Sequence, residues 1–241
     1  MEVGQLVEEA SSHGAWQCAP PGRRAARAGY AGTIEILFVC TANVCRSPMA
    51  EALMRQKMAE RAETAVVSSA GLLEDGRTSP EPVVELVGRL GVDLSERTSH
   101  QLTGEDLDRA DIVITMERHQ LREAALMTDS AWPKTFTLKE IVRRGAAAGG
   151  IDEGETVEAF LARLHEDREP AELLGDSWLD DVADPFGGTS EQYEVTWREI
   201  DELVTALADL LQPSEVPPDD DAAVETVAVP RRSRFGLARK G

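Results

Sequence analysis

Between residues 34 and 212 the chain alternates short continuous apolar runs with longer segments whose apolar residues recur every three or four positions. Residues 34–40 (IEILFVC) read as a strand buried on both faces, since only Glu35 interrupts the run. Residues 47–61 read as a helix. Ser47 stands at a capping position, and Pro48 falls in the first turn, where a missing N–H costs nothing. Residues 65–70 (AVVSSA) predict a second strand, and residues 80–90 a helix carrying Val83, Val84, Leu86, Val87 and Leu90. Thr103 caps a short helix running to Ala110. Residues 111–116 (DIVITM) predict a third strand, 118–127 a helix, and 135–137 a fourth strand. The last helix, about 191–211, has the clearest pattern: Tyr193, Trp197, Ile200, Val204, Leu207 and Leu211 fall on one face.

Strands alternating with helices in this way predict an α/β fold built on a parallel sheet. Ligands of such sheets bind beyond the carboxyl ends of the strands, and Cys40 lies at that end of the first one. Residues 139–181 break the rhythm. They begin with a Gly/Ala run (145–150) and continue with a helix-like stretch bearing Val157, Phe160, Leu161 and Leu164. We read this segment as an insertion in the domain 34–212, with the form of a helical lid. Residues 1–33 show no sustained periodicity and predict a disordered arm. Residues 213–241 open with PSEVPPDDD and predict a disordered tail.

Composition narrows the class. The net charge is -19. The first 33 residues carry three acids and three arginines, and the last 29 carry five acids and five bases, so the excess falls on the central body. The 139–181 segment alone has twelve acidic and five basic side chains. An acidic body of this kind disfavours nucleic acid and anionic membranes as partners. No apolar run is long enough to span a bilayer, and residues 1–30 lack the apolar core of a signal peptide. The three cysteines, Cys18, Cys40 and Cys45, form no disulfide framework and fit a reducing compartment. The expected location is the cytoplasm.

The chemistry concentrates in VCTANVCRSPMAE, residues 39–51. Five residues separate Cys40 from Arg46, and Ser47 follows. The backbone N–H groups of Thr41, Ala42, Asn43, Val44, Cys45 and Arg46 can turn inward as an anion nest, with a helix N-terminus behind them. Arg46 adds a planar, permanently charged fork. The same positive field favours the thiolate of Cys40, and Ser47 can donate its hydroxyl to the sulfur. A thiolate below a bound oxyanion is the arrangement needed to accept a phosphoryl group. The run lacks the Gly-Lys-Ser/Thr ending of a nucleotide-binding loop. The leaving group then needs a proton, and Asp184, in Asp184-Pro185-Phe186 with Gly187-Gly188 behind it, is the candidate donor and later base.

The chain resembles a low-molecular-weight protein tyrosine phosphatase. LFVCTANVCRSPMAEAL, SSAG (68–71), DLS…QL (93–102), ADIVITME (110–117) and ADPFGGTSEQY (183–193) stand in the family's order. The resemblance implies a three-layer fold with a four-stranded parallel sheet flanked by helices and a phosphate-binding loop after the first strand. It implies phosphomonoester hydrolysis through a phosphocysteine intermediate, with Cys40, Arg46 and Asp184 as catalytic residues and no metal or other cofactor. It also implies a phosphotyrosine protein or small aryl phosphate as substrate, with Phe186 beside the ring.

Several positions depart from the family. Ala42 stands where the family usually has Gly, and its Cβ disfavours positive φ, so a strained loop is expected. Asn43, which holds the loop in relatives, is retained, but Arg97 occupies its usual His partner's place. Leu72-Leu73 replace the aromatic wall common after SAG. Cys45 is either a resolving thiol for Cys40 or a core residue. His100 and His119 read as surface residues without metal-ligand spacing, and Trp132, Trp178 and Trp197 as packing residues. Two other functions use the same loop. One is arsenate reduction with a low-molecular-weight thiol such as mycothiol. The other is anion binding without catalysis.

Overall fold

A computed structural model describes residues 33–61 and 63–212. The arm and the tail expected at the two ends, and Cys18, lie outside the described residues apart from Thr33. Four parallel strands form one sheet: β1 (Ile34–Cys40), β2 (Ala65–Gly71), β3 (Ile112–Thr115) and β4 (Thr135–Thr137), in the order β2-β1-β3-β4. The strand order reverses between β1 and β3, which opens a crevice at their carboxyl ends. Cys40 pairs with Gly71 of β2 in the register that ends β1, and Val39 pairs with Thr115 of β3.

The alternation of side chains along β1 explains the layers. Ile34, Ile36, Phe38 and Cys40 point into one core, and Leu37 and Val39 into another. The larger core is covered by α1 (Arg46–Glu60), α2 (Glu81–Gly88), α5 (Leu138–Ala148), α6 (Val157–His165) and α7 (Ser190–Leu210). The smaller takes Leu107 and Ala124 from α3 (Gly104–Arg109) and α4 (Arg118–Met127). The α/β class and the four expected strands are therefore observed. The apolar stripe on α7 is as read: Tyr193, Trp197, Ile200, Val204 and Leu207 are buried. Thr189 caps this helix through a reciprocal pair of bonds with Gln192.

Residues 139–181 carry most of α5, all of α6 and a short 3-10 turn. Ile141, Ile151, Phe160, Leu161 and Leu164 are buried and belong to the same core as β1 and α7. Gly145 lets α5 approach α7, since a Cβ there would meet the side chain of Leu210 at 2.5 Å. The expectation for Trp178 fails. Its side chain is 84% exposed, with Leu174 and Leu179 exposed beside it in sequence. Trp197 is buried as expected, and Trp132 is half-buried against Arg168.

Candidate active site

The Cys40 loop spans residues 41–45, between the end of β1 and the start of α1. Ser47 does not cap α1 as the sequence suggested. The helix begins at Arg46 with Cys45 as the preceding residue and no side-chain cap. The Ser47 hydroxyl turns inward instead, where its one proton has two acceptors, Cys40 Sγ at 3.1 Å and the Ala70 carbonyl at 3.3 Å. An anion seated at the loop would meet the helix terminus without a competing side-chain oxygen.

Cys40 Sγ also accepts the backbone N–H of Asn43 at 3.2 Å. Asn43 sits in the left-handed region (φ 53°), the non-glycine residue among those described that does so. The strain expected at Ala42 is therefore absent: the positive φ falls one residue later, on a residue type that tolerates it. Close approach is needed from below. A Cβ on Gly71 would lie 2.7 Å from the Asn43 nitrogen, so only Gly fits at the end of β2. Leu72 N–H and Leu73 N–H donate to the carbonyls of Cys40 and Thr41, which fastens the following segment to the loop.

Arg46 is 1% exposed. Its Nη1 donates to Glu117 and, at 2.8 Å, to the carbonyl of Val182. Its Nη2 donates to Asp184 Oδ2 at 2.8 Å. Its Nε is buried without a hydrogen-bond partner. A buried charged donor left unpaired is costly.

Asp184 is 43% exposed and its other oxygen accepts the Phe186 N–H at 3.2 Å. Tight turns hold this segment: Gly188 N–H donates to the Pro185 carbonyl, and Gly187 has φ 74°. Val182 N–H donates to Met116 at the end of β3, which carries the segment to the sheet's carboxyl edge. Phe186 is 66% exposed.

The structure thus gathers Cys40, Arg46, Ser47 and Asp184 around one loop. Thr41 accepts a bond from Gln120 Nε2 at 3.1 Å, while the side chains of Val44 and Cys45 face the core. Burial pushes the Cys45 thiol up to about 12, and negative charge on Cys40 and Asp184 adds to this. Cys45 is thus a protonated thiol across the ordinary pH range, poorly suited to attack a neighbouring sulfur. Burial likewise raises the Tyr193 phenol, which bonds the Cys45 thiol.

Sequence reasoning missed Glu117 as a site residue. The signal was present, since Glu117 directly follows Met116 at the carboxyl end of β3. His119 Nδ1 lies 2.9 Å from Glu117 Oε2 and so borders the site rather than an unrelated surface. Among the described residues no group of three His, Cys, Asp or Glu side chains is placed to hold a metal ion, and no helix is long and apolar enough to cross a membrane.

Fold and site define a class: a doubly wound α/β frame carrying a thiol at the base of an oxyanion cradle. The sequence profile of the low molecular weight phosphotyrosine protein phosphatases matches residues 35–156. A protein-arginine-phosphatase of Geobacillus stearothermophilus is 32% identical over 178 residues, covering 73% of this chain and 95% of the relative. A probable low molecular weight protein-tyrosine-phosphatase, EpsP of Ralstonia solanacearum, is 37% identical over 106 residues, covering 44% and 71%. The crystal structure of a YwlE mutant from Bacillus subtilis superposes with TM-score 0.56 at 29% identity, covering 73% of this chain and 97% of that one. The chain belongs to the low molecular weight phosphotyrosine protein phosphatase family, and it is a phosphatase. The arsenate-reductase and anion-binding alternatives gain nothing from these relatives.

Proposed function

We propose that this phosphatase releases phosphate from protein side chains by two displacements at Cys40. The thiolate attacks phosphorus, the bond to the leaving atom breaks (the phenol oxygen of phosphotyrosine or the guanidine nitrogen of phosphoarginine), and Asp184 supplies that atom's proton. Water then attacks the phosphocysteine, Asp184 takes the proton, the S–P bond breaks, and the thiolate returns as phosphate leaves. Arg46 and the backbone N–H groups of residues 41–46 hold the equatorial oxygens, and Ser47 stabilises the sulfur as it departs. The observation that carries this reading is a sulfur within bonding distance of Asn43 N–H and Ser47 Oγ, at the base of a loop that leads into the buried Arg46, whose Nε is unpartnered. The free thiols of Cys40 and Cys45 fit a cytoplasmic setting.

The substrate we assign first is phosphotyrosine, with the ring against Phe186. A second reading, phosphoarginine, draws on the relative named protein-arginine-phosphatase, which this chain matches over nearly its whole length. It also draws on the mouth itself. Leu72, packed on the smaller core, and the exposed Leu73 stand where an aromatic wall is common, and the carboxylates of Glu117 and Asp184 bond the guanidinium of Arg46.

Phosphate release from a phosphotyrosine peptide and from a phosphoarginine peptide of the same sequence distinguishes the two. Cys40→Ser is expected to abolish release from either. Asp184→Asn is expected to lower kcat by about 10²-fold or more. Unchanged release by Cys40→Ser would end the mechanism.

A further inference from the structure

The segment that delivers Asp184 is clamped just upstream, by a side chain with no part in the chemistry above. Arg118 is the first residue of α4 and follows Glu117 directly. Its guanidinium bonds Asp180 Oδ2 through Nε, at 2.9 Å, and through Nη2. Asp180 is buried, and its other oxygen accepts Arg143 Nη2 of α5 at 2.9 Å. The main chain of Arg118 adds a second tie. Its N–H donates to Asp181 Oδ1 at 2.8 Å, and Asp181 Oδ2 accepts the Ser177 N–H at 2.8 Å. The N–H groups of Asp180 and Asp181 both donate to the Ser177 carbonyl, at 3.0 and 2.7 Å, so residues 177–181 close into a turn held against α4.

Between the clamp and the acid little slack remains. Val182 is buried; its N–H donates to the Met116 carbonyl at 2.8 Å, and its own carbonyl accepts Arg46 Nη1 at 2.8 Å. The Ala183 carbonyl accepts the Thr196 hydroxyl at 3.5 Å. Asp184 bonds Arg46 Nη2 and the Phe186 N–H. Those partners lie in the site or in the acid's own turn, so the stretch before Asp184 is what fixes it against the rest of the fold. Glu117, next to Arg118 in the chain, bonds the same Arg46. Arg118 therefore stands between the two carboxylates that flank Arg46: one is its neighbour, and the other follows the turn that it holds. An exposed ion pair would hold such a turn weakly, but here both side chains are largely buried.

We propose that Arg118 is a positioning residue for the general acid: by holding Asp180 from the first turn of α4, it sets where Asp184 stands relative to Cys40 and Arg46. A guanidinium does this with two donors fixed in one plane, where an ammonium offers a single point of charge. Arg143 joins the same carboxylate from α5, so the clamp also ties the acid's segment to the 139–181 stretch. The role rests on the reading of Asp184 as the proton donor. A residue that merely stabilised the fold would lower all turnover alike. A misplaced acid costs most where the leaving group needs the proton most.

The test uses the full chain and two substrates that differ in leaving group, p-nitrophenyl phosphate and phenyl phosphate. The p-nitrophenolate ion departs with little help, while phenolate needs the proton. The quantity measured on each folded variant is the ratio of the two kcat/KM values, p-nitrophenyl over phenyl. Asp184→Asn is expected to raise this ratio by roughly 10²-fold. Arg118→Met is expected to raise it about tenfold. Arg118→Lys keeps a charge beside Asp180 and guards against misfolding; it is expected to raise the ratio about threefold. The double variant Arg118→Met/Asp184→Asn should match Asp184→Asn, since an absent acid cannot be misplaced. A ratio within about twofold of the wild type in either folded Arg118 variant would overturn the proposal. So would a double variant whose ratio exceeds that of Asp184→Asn. No turnover by the wild type, or a wild-type ratio in Asp184→Asn, is a separate failure. It ends the reading of Asp184 as the acid, and the role of Arg118 with it.

Discussion

Two arginines, Arg46 and Arg168, are almost wholly buried, and their surroundings differ in one respect. Arg168 is saturated. Its Nε and Nη2 bond the two oxygens of Glu140 at 2.8 and 3.2 Å, Nη2 also reaches the Thr135 carbonyl at 3.0 Å, and Nη1 lies 3.0 Å from His165 Nδ1. Its planar head is sandwiched between Trp132 and Phe136, 4.2 and 4.1 Å from the ring centres. Arg46 has two carboxylates and a carbonyl but leaves Nε unpartnered, and one of its carboxylates, Asp184, is 43% exposed. Arg168 ties the α6 segment to β4 and has nothing left to offer. Arg46 retains bonding capacity at the start of the helix that follows the Cys40 loop. Burial of a charge alone does not mark a site, and neither does an unpartnered polar atom alone, since Ser79 Oγ is also buried without a hydrogen-bond partner; at Arg46 the two coincide beside a cysteine loop.

The comparison breaks first at Arg46. Arg46→Met is expected to lower kcat/KM by roughly 10³-fold while the cooperative urea transition persists. Retained turnover would remove Arg46 from the oxyanion cradle and make it a second Arg168.

The converse change is Arg168→Met, which leaves the buried Glu140 with Arg144 Nε, 3.0 Å from Oε1, as its remaining ion-pair partner. It is expected to cost about 1–3 kcal/mol of stability, measured by urea unfolding, with turnover per folded molecule unchanged. Adding Glu140→Leu should recover part of that loss, because the buried carboxylate goes with it while Arg144 gives up its own ion pair. A fully stable Arg168→Met with lost turnover would reverse the assignments.

The smallest effect is a pH dependence that separates two histidines. Burial and the Arg168 charge hold His165 below the ordinary imidazole range. The unfolded chain therefore binds the proton more readily, and His165 withdraws stability as pH falls through about 6.5. His100 is held above that range, chiefly by its hydrogen bond to Asp106. Its contribution is complete below about 6.5 and fades as pH rises through its folded value. Asp106 stays ionised down to about 2 despite partial burial, so the pair persists through mild acid. Between pH 7 and pH 5, His165→Gln should lose less stability than the wild type and His100→Gln should lose more. Equal slopes in chemical denaturation would contradict both directions.

How much of this was legible depended on range. The strand ending in Cys40 and the stripe on α7 were readable because burial on two faces or on one leaves a period in the sequence. Trp178 was misread because size and hydrophobicity say nothing of whether a neighbour is present. Ser47 was misread for a related reason. Position before a helix suggests a cap, but a thiol one turn away in space offered its hydroxyl another partner. The 139–181 segment broke the rhythm of the chain, yet Phe160 and Leu164 were already spaced to face a core.

The sequence by itself determined the alternation of strands and helices, the Cys-x5-Arg-Ser loop at the end of the first strand, and the family whose order of motifs the chain follows. Each of these is local: a period, a spacing, or a run of residues within one turn. Only the tertiary structure decided that the positive φ falls on Asn43 and not Ala42, and that Arg97 bonds both carbonyl oxygens of Asn43. It alone brought Glu117 and Asp184 together on Arg46. Those partners lie 54, 71 and 138 positions apart in the chain. Hydrogen bonds between such distant residues leave no periodic trace, because only the packing of the sheet brings the partners within 3 Å of each other.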